Sequence, residues 1–270
     1  MTTCPARFTR SYLPLMFGAL LMTAGAANAD PLKDEIAPTG KLRVAIAISP
    51  AGGAFWSTKT ATGYAGVPVD LGKAIAAQLG VPVEYVAHNN SGQIVDAVGK
   101  GTWDVTFLPK DPEREGRMSF GPIYEVADAT YIVKPGSTIT NFATLDQPGI
   151  KVAAVNNTTT MRGAIAHLKN AKVTGYQTYD EIFGLLKGGE IDAFALSRDQ
   201  LNAMATQIPG TRVLDETFKQ TVTAVAVPPN HPQSLAFAVK FLNESIANGT
   251  LRKAYDNNGL KDRPVRTQAQ

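Results

Sequence analysis

The sequence is poor in cysteine, in histidine and in charge of either excess sign. Its 270 residues hold one cysteine, Cys4, and three histidines. A single thiol cannot close an intrachain disulfide, so a disulfide scaffold is excluded. His88, His167 and His231 lie far apart in the chain and lack metal-ligand spacing, and no Gly-x-Ser-x-Gly elbow is present. Each histidine therefore reads as a surface or cap residue, and no metal or cofactor is expected. With 26 Lys and Arg against 23 Asp and Glu, and the basic residues scattered, a nucleic-acid surface is excluded too. After residue 29 no apolar run approaches the roughly 20 residues that span a bilayer. What remains is an ordinary globular composition, 44% hydrophobic, suited to one large domain or two modest lobes.

Residues 1–29 contain no acid. They carry Arg7 and Arg10 early, run apolar from Leu13 to Ala27, and end in Ala27-Asn28-Ala29. That order is the order of a cleavable export signal, with cleavage expected before Asp30. Removing it leaves 24 basic against 23 acidic residues and no cysteine. A chain exported without disulfides has to rely on its hydrophobic core, which about 240 residues can supply. The expected location is the periplasm.

From Lys41 onward β-branched runs alternate with helix-period segments, the pattern of an α/β protein with largely parallel sheets. Strands are expected at 42–48, 83–86, 105–108, 130–133, 152–155, 173–176, 193–196 and 222–227. Helices are expected from Val69 to Leu79 with Gly80 as the stop, from Thr178 with Glu181 at capping-box spacing, and from Pro232 to Asn248. One unit recurs at an offset of 88 residues: Ile94, Gly101, Asp104 and Leu108 match Ile182, Gly189, Asp192 and Leu196. Copies in opposite halves suit two similar lobes. Two segments ended by proline, 129–136 and 221–229, can carry the chain between them. The expected division is 30–134 and 226–270 for the first lobe, and 135–225 for the second.

The motif order then points to a family. Gly63-Tyr64-Ala65-Gly66-Val67-Pro68-Val69-Asp70-Leu71, Leu79-Gly80-Val81-Pro82-Val83-Glu84, Gly101-Thr102-Trp103-Asp104-Val105, Pro112-Glu113-Arg114 and Gly149 to Val155 occur in sequence, followed by Asp192-Ala193. Together they resemble the polar amino acid group, family 3, of the extracellular solute-binding proteins of ATP-driven importers. The resemblance implies a bilobal α/β fold of the type II, Venus-flytrap kind with two crossing strands. It also implies capture of a small polar solute between the lobes, and delivery to a membrane permease and its ATPase by a monomer.

In that family an arginine matching Arg114 pairs with the ligand carboxylate, a task for which a planar guanidinium is suited; the other reading of Arg114 is a solvated turn residue. Asn157-Thr158-Thr159-Thr160 follows a strand and opens a helix, where hydroxyls and backbone N–H groups suit an anion. The glycines of a phosphate loop are missing there. Ser49, Phe107, Leu108, Asn156, Asn157 and Ser197 stand at carboxyl ends of expected strands, the usual ligand side of an open sheet. Phe55 and Trp56 occupy a loop where the family often has an aromatic wall. Two departures stand out: the segment before Arg114 is shorter than in the family, and the aspartate that grips a ligand amine is Ser197 here. Asp111 either supplies the missing negative charge or, with Pro112, starts a turn.

The expected ligand site is thus Phe55, Phe107, Leu108, Asp111, Arg114, Asn157, Thr158, Thr159 and Ser197, with no catalytic residue. A carboxylate-bearing amino acid or derivative is the expected solute. A periplasmic cyclohexadienyl or arogenate dehydratase, which resembles the same fold, is the alternative.

Overall fold

The computed structural model describes residues 1–4, 30–49 and 53–265. The charged and apolar stretches of the expected export signal lie in 5–29, outside the described residues. Among the described residues no helix is long and apolar enough to cross a membrane.

The first half of the chain runs α1 (Pro31–Ile36), β1 (Leu42–Ala47), the hairpin of β2 (Thr58–Thr60) and β3 (Gly63–Ala65), α2 (Val67–Leu79), β4 (Val83–His88), α3 (Ser91–Asp96), β5 (Val105–Lys110), α4 (Pro112–Glu115) and β6 (Ser119–Val133). Then follow α5 (Phe142–Leu145), β7 (Lys151–Val155), α6 (Thr159–His167), β8 (Lys172–Tyr176), α7 (Tyr179–Gly188), β9 (Ala193–Ser197), α8 (Arg198–Gln207) and β10 (Arg212–Val213). The chain closes with β11 (Lys219–Val227), α9 (Pro232–Ala247) and α10 (Thr250–Asn257).

Local chemistry accounts for the boundaries. In α2 the residues Val67, Leu71 and Ile75 repeat at helical spacing and are completely buried, while Gly80 ends the helix in the left-handed region with φ 67°. That conformation costs glycine nothing. Thr178 caps α7 by accepting from Glu181 N at 3.1 Å, as the capping-box spacing requires.

The strand order is β4-β1-β5-β11-β6-β9-β7-β8. β1 runs parallel to β4 and β5, and β7 runs parallel to β8 and β9. Between these two parallel groups lies the long antiparallel pair of β6 and β11. β6 is much longer than the strand expected at 130–133. Its first half contains Gly121-Pro122, which reads as a break. The register against β11 shifts twice there, between Thr223 and Ala224 and between Ala224 and Ala226. These bulges leave Pro122, which has no N–H, out of the ladder.

The repeated unit has a structural meaning. Asp104 Oδ2 accepts from Arg43 N at 2.8 Å, and Asp192 Oδ2 accepts from Lys151 N at 2.9 Å. Each aspartate also donates its own N–H to the carbonyl of the same residue. Both therefore cap the entry of the neighbouring parallel strand, β1 in one half and β7 in the other. Ile94 and Ile182 are both fully buried. The fold is the mixed α/β architecture expected, and its structural relatives, described below, are bilobal.

Candidate ligand-binding site

The carboxyl ends of the strands converge on one cavity. It is lined by Ala54, Phe55 and Trp56 after β1, Ser91 of α3, Pro109 of β5, Glu125 and Ala127 of β6, and Thr158–Thr160 at the start of α6. Leu196, Ser197, Asp199, Thr221, Thr223 and Arg263 complete it. Both halves of the chain contribute.

Of the residues singled out from sequence, Phe55, Thr158, Thr159 and Ser197 line this cavity. Thr158 is the helix cap: its Oγ1 accepts from Met161 N at 3.1 Å and donates to Val155 O at 2.7 Å. Thr160 Oγ1 lies 3.0 Å from that hydroxyl, so two of the three threonines are tied to each other.

Phe107, Leu108, Asp111, Arg114 and Asn157 are not among the lining residues; their own contacts place them as follows. β5 is a central strand covered on both faces, so alternation sends Phe107 against Tyr124, ring centroids 5.9 Å apart, and buries Leu108 on the other side. Asp111 caps α4, accepting from Arg114 N at 3.1 Å, and its second oxygen pairs with the Arg162 guanidinium. Its charge is thus committed away from the cavity.

Arg114 stands one layer behind the wall. It is 1% exposed, and it donates to Pro109 O at 2.7 Å, Ser91 Oγ at 2.7 Å and Asn157 O at 3.0 Å. Burial pulls its pKa down to about 10, against the raising effect of Asp111; it stays cationic at neutral pH. Asn157 holds a left-handed conformation, φ 57°, which asparagine adopts more readily than most residues. That turn aims its carbonyl at Arg114.

Further contacts join the first half of the chain to the second around the cavity. Ser49 Oγ donates to Gln200 Oε1 at 2.7 Å, and Asn90 Nδ2 donates to Gln177 O at 2.9 Å. Gly53, with φ 123°, lets its loop approach α8: a Cβ there would lie 3.1 Å from Asp199 Oδ2.

The sequence reading missed the charged group of the cavity. Glu125 is 3% exposed; Tyr255 Oη donates to its Oε2, and Arg263 pairs with its Oε1. The other end of the same guanidinium lies 3.3 Å from Asp199 Oδ2. Burial raises the Glu125 carboxyl pKa, more than Arg263 and Tyr255 lower it. A glutamate inside the apolar run of β6 was the available signal. Arg263 had none, because it lies in an irregular segment beyond α10.

The profile of the bacterial extracellular solute-binding proteins, family 3, matches residues 44–260. A glutamine-binding protein of Geobacillus stearothermophilus is 32% identical over 131 residues, covering 48% of this chain and 47% of that protein. The matched stretch thus spans about half the length of this curated relative. Among solved structures, an ancestral amino acid-binding protein described as a precursor of cyclohexadienyl dehydratase superimposes with a TM-score of 0.72 at 29% identity, over 84% of this chain and 98% of its own. An ancestral arginine-binding protein bound to glutamine gives 0.71 at 29% identity, over 80% and 96%. With its ordered motifs, paired parallel strand groups and shared cavity, the chain belongs to the bacterial extracellular solute-binding proteins of family 3.

Proposed function

We propose that this protein is the substrate-capturing component of an ATP-driven importer, taking a small polar solute with a carboxylate, an amino acid or a derivative, in the periplasm. The observation that carries the reading is a single cavity lined by strand ends from both halves of the chain. A ligand touching both halves binds the closed form better than the open one, and that difference drives closure. The closed surface is what a permease and its ATPase would recognise, and the carrier acts as a monomer after its signal is removed. The relatives named for glutamine and for amino acids support the solute class.

The two lobes follow the order that the sequence suggests, 30–134 with 226–270 against 135–225, with their limits moved inward. The pairing of Ala129–Val133 with β9, and the shifts of register between β6 and β11, favour a hinge slightly inside those limits, near Glu125–Ala127 and Thr221–Thr223. The carboxylate is received by the Thr158–Thr160 helix start and Ser91, with Arg114 supporting that wall from behind.

Isothermal calorimetry on the processed chain with the amino acids, opines and small dicarboxylates tests the reading. Saturable binding of at least one carboxylate supports it; no binding across the panel overturns it.

A second reading has one observation in its favour. Glu125 is a buried cavity carboxyl with a raised pKa, the state a general acid needs, and one structural relative is a dehydratase precursor. Formation of phenylpyruvate from prephenate, or of phenylalanine from arogenate, lost in Glu125→Gln, would establish a dehydratase.

A further inference from the structure

Arg263 follows the last helix by six residues, yet its guanidinium lies in the cavity between an acid of β6 and an acid of α8. Glu125, Asp199 and Arg263 are the charged side chains that line the cavity. The same three residues also line a second groove, together with Tyr124, Asn202 and Gln220. The arginine is thus shared by the two spaces.

Its backbone is held independently of its side chain. Arg252 of α10 donates to Arg263 O at 2.6 Å and to Leu260 O at 2.7 Å, and Arg263 N donates to Leu260 O at 3.1 Å. The guanidinium can therefore leave the cavity without the segment being released.

The acceptors around it are not exhausted. Asp199 Oδ1 and Thr221 Oγ1 have no hydrogen-bond partner among the described residues. Thr221 is only 5% exposed and lines the same cavity. A buried hydroxyl without a partner is costly, and so is a buried carboxylate without a cation. Such a set is complementary to a cation with several N–H groups. It also relieves a difficulty at position 197, where a neutral serine occupies the place of an amine-binding acid: two acids stand nearby instead.

We propose that Glu125, Asp199 and Thr221 form a subsite for the ammonium or guanidinium group of the solute, and that Arg263 occupies it as a tethered stand-in which the solute displaces. The proposal rests on the solute-binding reading above. A competing tethered cation keeps Glu125 and Asp199 paired in the empty protein and lowers the apparent affinity by the fraction of molecules in which it is seated.

The test is calorimetry with three probes, L-arginine, L-glutamine and glutarate, on the processed wild-type chain, Arg263→Ala and the double variant Arg263→Ala/Asp199→Asn. Arg263→Ala is expected to bind L-arginine or L-glutamine at least tenfold more tightly than wild type, with no gain for glutarate, which carries no cationic group. The double variant is expected to lose that gain. Equal or weaker binding of both amino acids in Arg263→Ala, or an equal gain for glutarate, overturns the proposal while leaving solute binding intact. If a carboxylate of the wider panel binds but neither amino acid binds either protein, the proposal is overturned while solute binding stands; if nothing in that panel binds, both readings fail. Thermal unfolding by circular dichroism checks each fold, and Arg263→Gln, which keeps a donor for Glu125, replaces the alanine variant should that one not fold; the same tenfold criterion applies.

Discussion

The guanidinium of Arg114, in the first half of the chain, donates to the carbonyl of Asn157 in the second, 3.0 Å away. Gly92 packs at the same junction: a Cβ on it would overlap the Cβ of Asn157 and lie 3.1 Å from Asn156 O. The two halves are therefore in direct contact beside the cavity. The ion pair of Asp111 with Arg162 adds a charged contact across the same junction.

Gly92→Ala should act as a wedge. The added methyl has no room against Asn157 while the halves are in contact; when they separate, only the Asn90 side chain, 3.0 Å away in the same half, has to give. Small-angle scattering with saturating solute should show the wild type contracting and the variant remaining extended. Its affinity should fall at least tenfold with little change in the thermal unfolding of the unliganded form.

Arg114→Ala should destabilise the fold as well as weaken binding, because it strips donors from three acceptors, two of them on the buried residues Pro109 and Ser91. Loss of one charged hydrogen bond is worth about 1.5–3 kcal/mol, so urea unfolding should show a drop of at least roughly that size. Arg114→Lys should recover only part of it. A point charge cannot serve three acceptors arranged around a planar fork.

Ser197→Asp should strengthen binding of solutes that carry an ammonium group. Ser197 lines the cavity at the end of β9, and a carboxylate there makes a charge-assisted bond where the hydroxyl makes a neutral one. Competition calorimetry should show at least a tenfold gain for an α-amino acid and a loss for a dicarboxylate.

Asp146 should govern part of the acid limb of stability. Its carboxylate accepts from the backbone N–H of Ala171, Asn170 and Lys169. These bonds, Ala171's foremost, hold its pKa below the ordinary value. A depressed carboxylate stabilises the fold above the unfolded pKa, near 4, and that contribution is lost as pH falls through the folded value. Urea midpoints measured from pH 6 to pH 2 should fall less steeply in Asp146→Asn than in wild type. At pH 6 the variant should be the less stable of the two.

Much of the fold was legible because it follows from local pattern. The alternation of apolar residues located seven of the eight expected strands to within about two residues at most ends, and Gly80 and Thr178 bound their helices by chemistry confined to one turn. The offset repeat of Asp104 and Asp192 was legible for the same reason, since each aspartate caps the strand beside it. β6 begins well before the expected start at 130, and pairing with β11 absorbs Gly121-Pro122 in a bulge.

The site was legible only where it depends on position in an element. Phe55, Thr158, Thr159 and Ser197 follow from being in loops or at strand ends, which face the cavity whatever the rest of the chain does. Asp111 and Arg114 carry the right chemistry, but long-range partners direct them: Arg162 takes one, and Ser91, Pro109 and Asn157 take the other. The sequence by itself determined the family, the α/β architecture and the two-part order of the strands, because hydrophobic period and turn chemistry are local. Only the tertiary structure decided which charges meet in the cavity. Glu125, Asp199 and Arg263 are separated by up to 138 residues, and their encounter depends on how β6, α8 and the segment beyond α10 pack together.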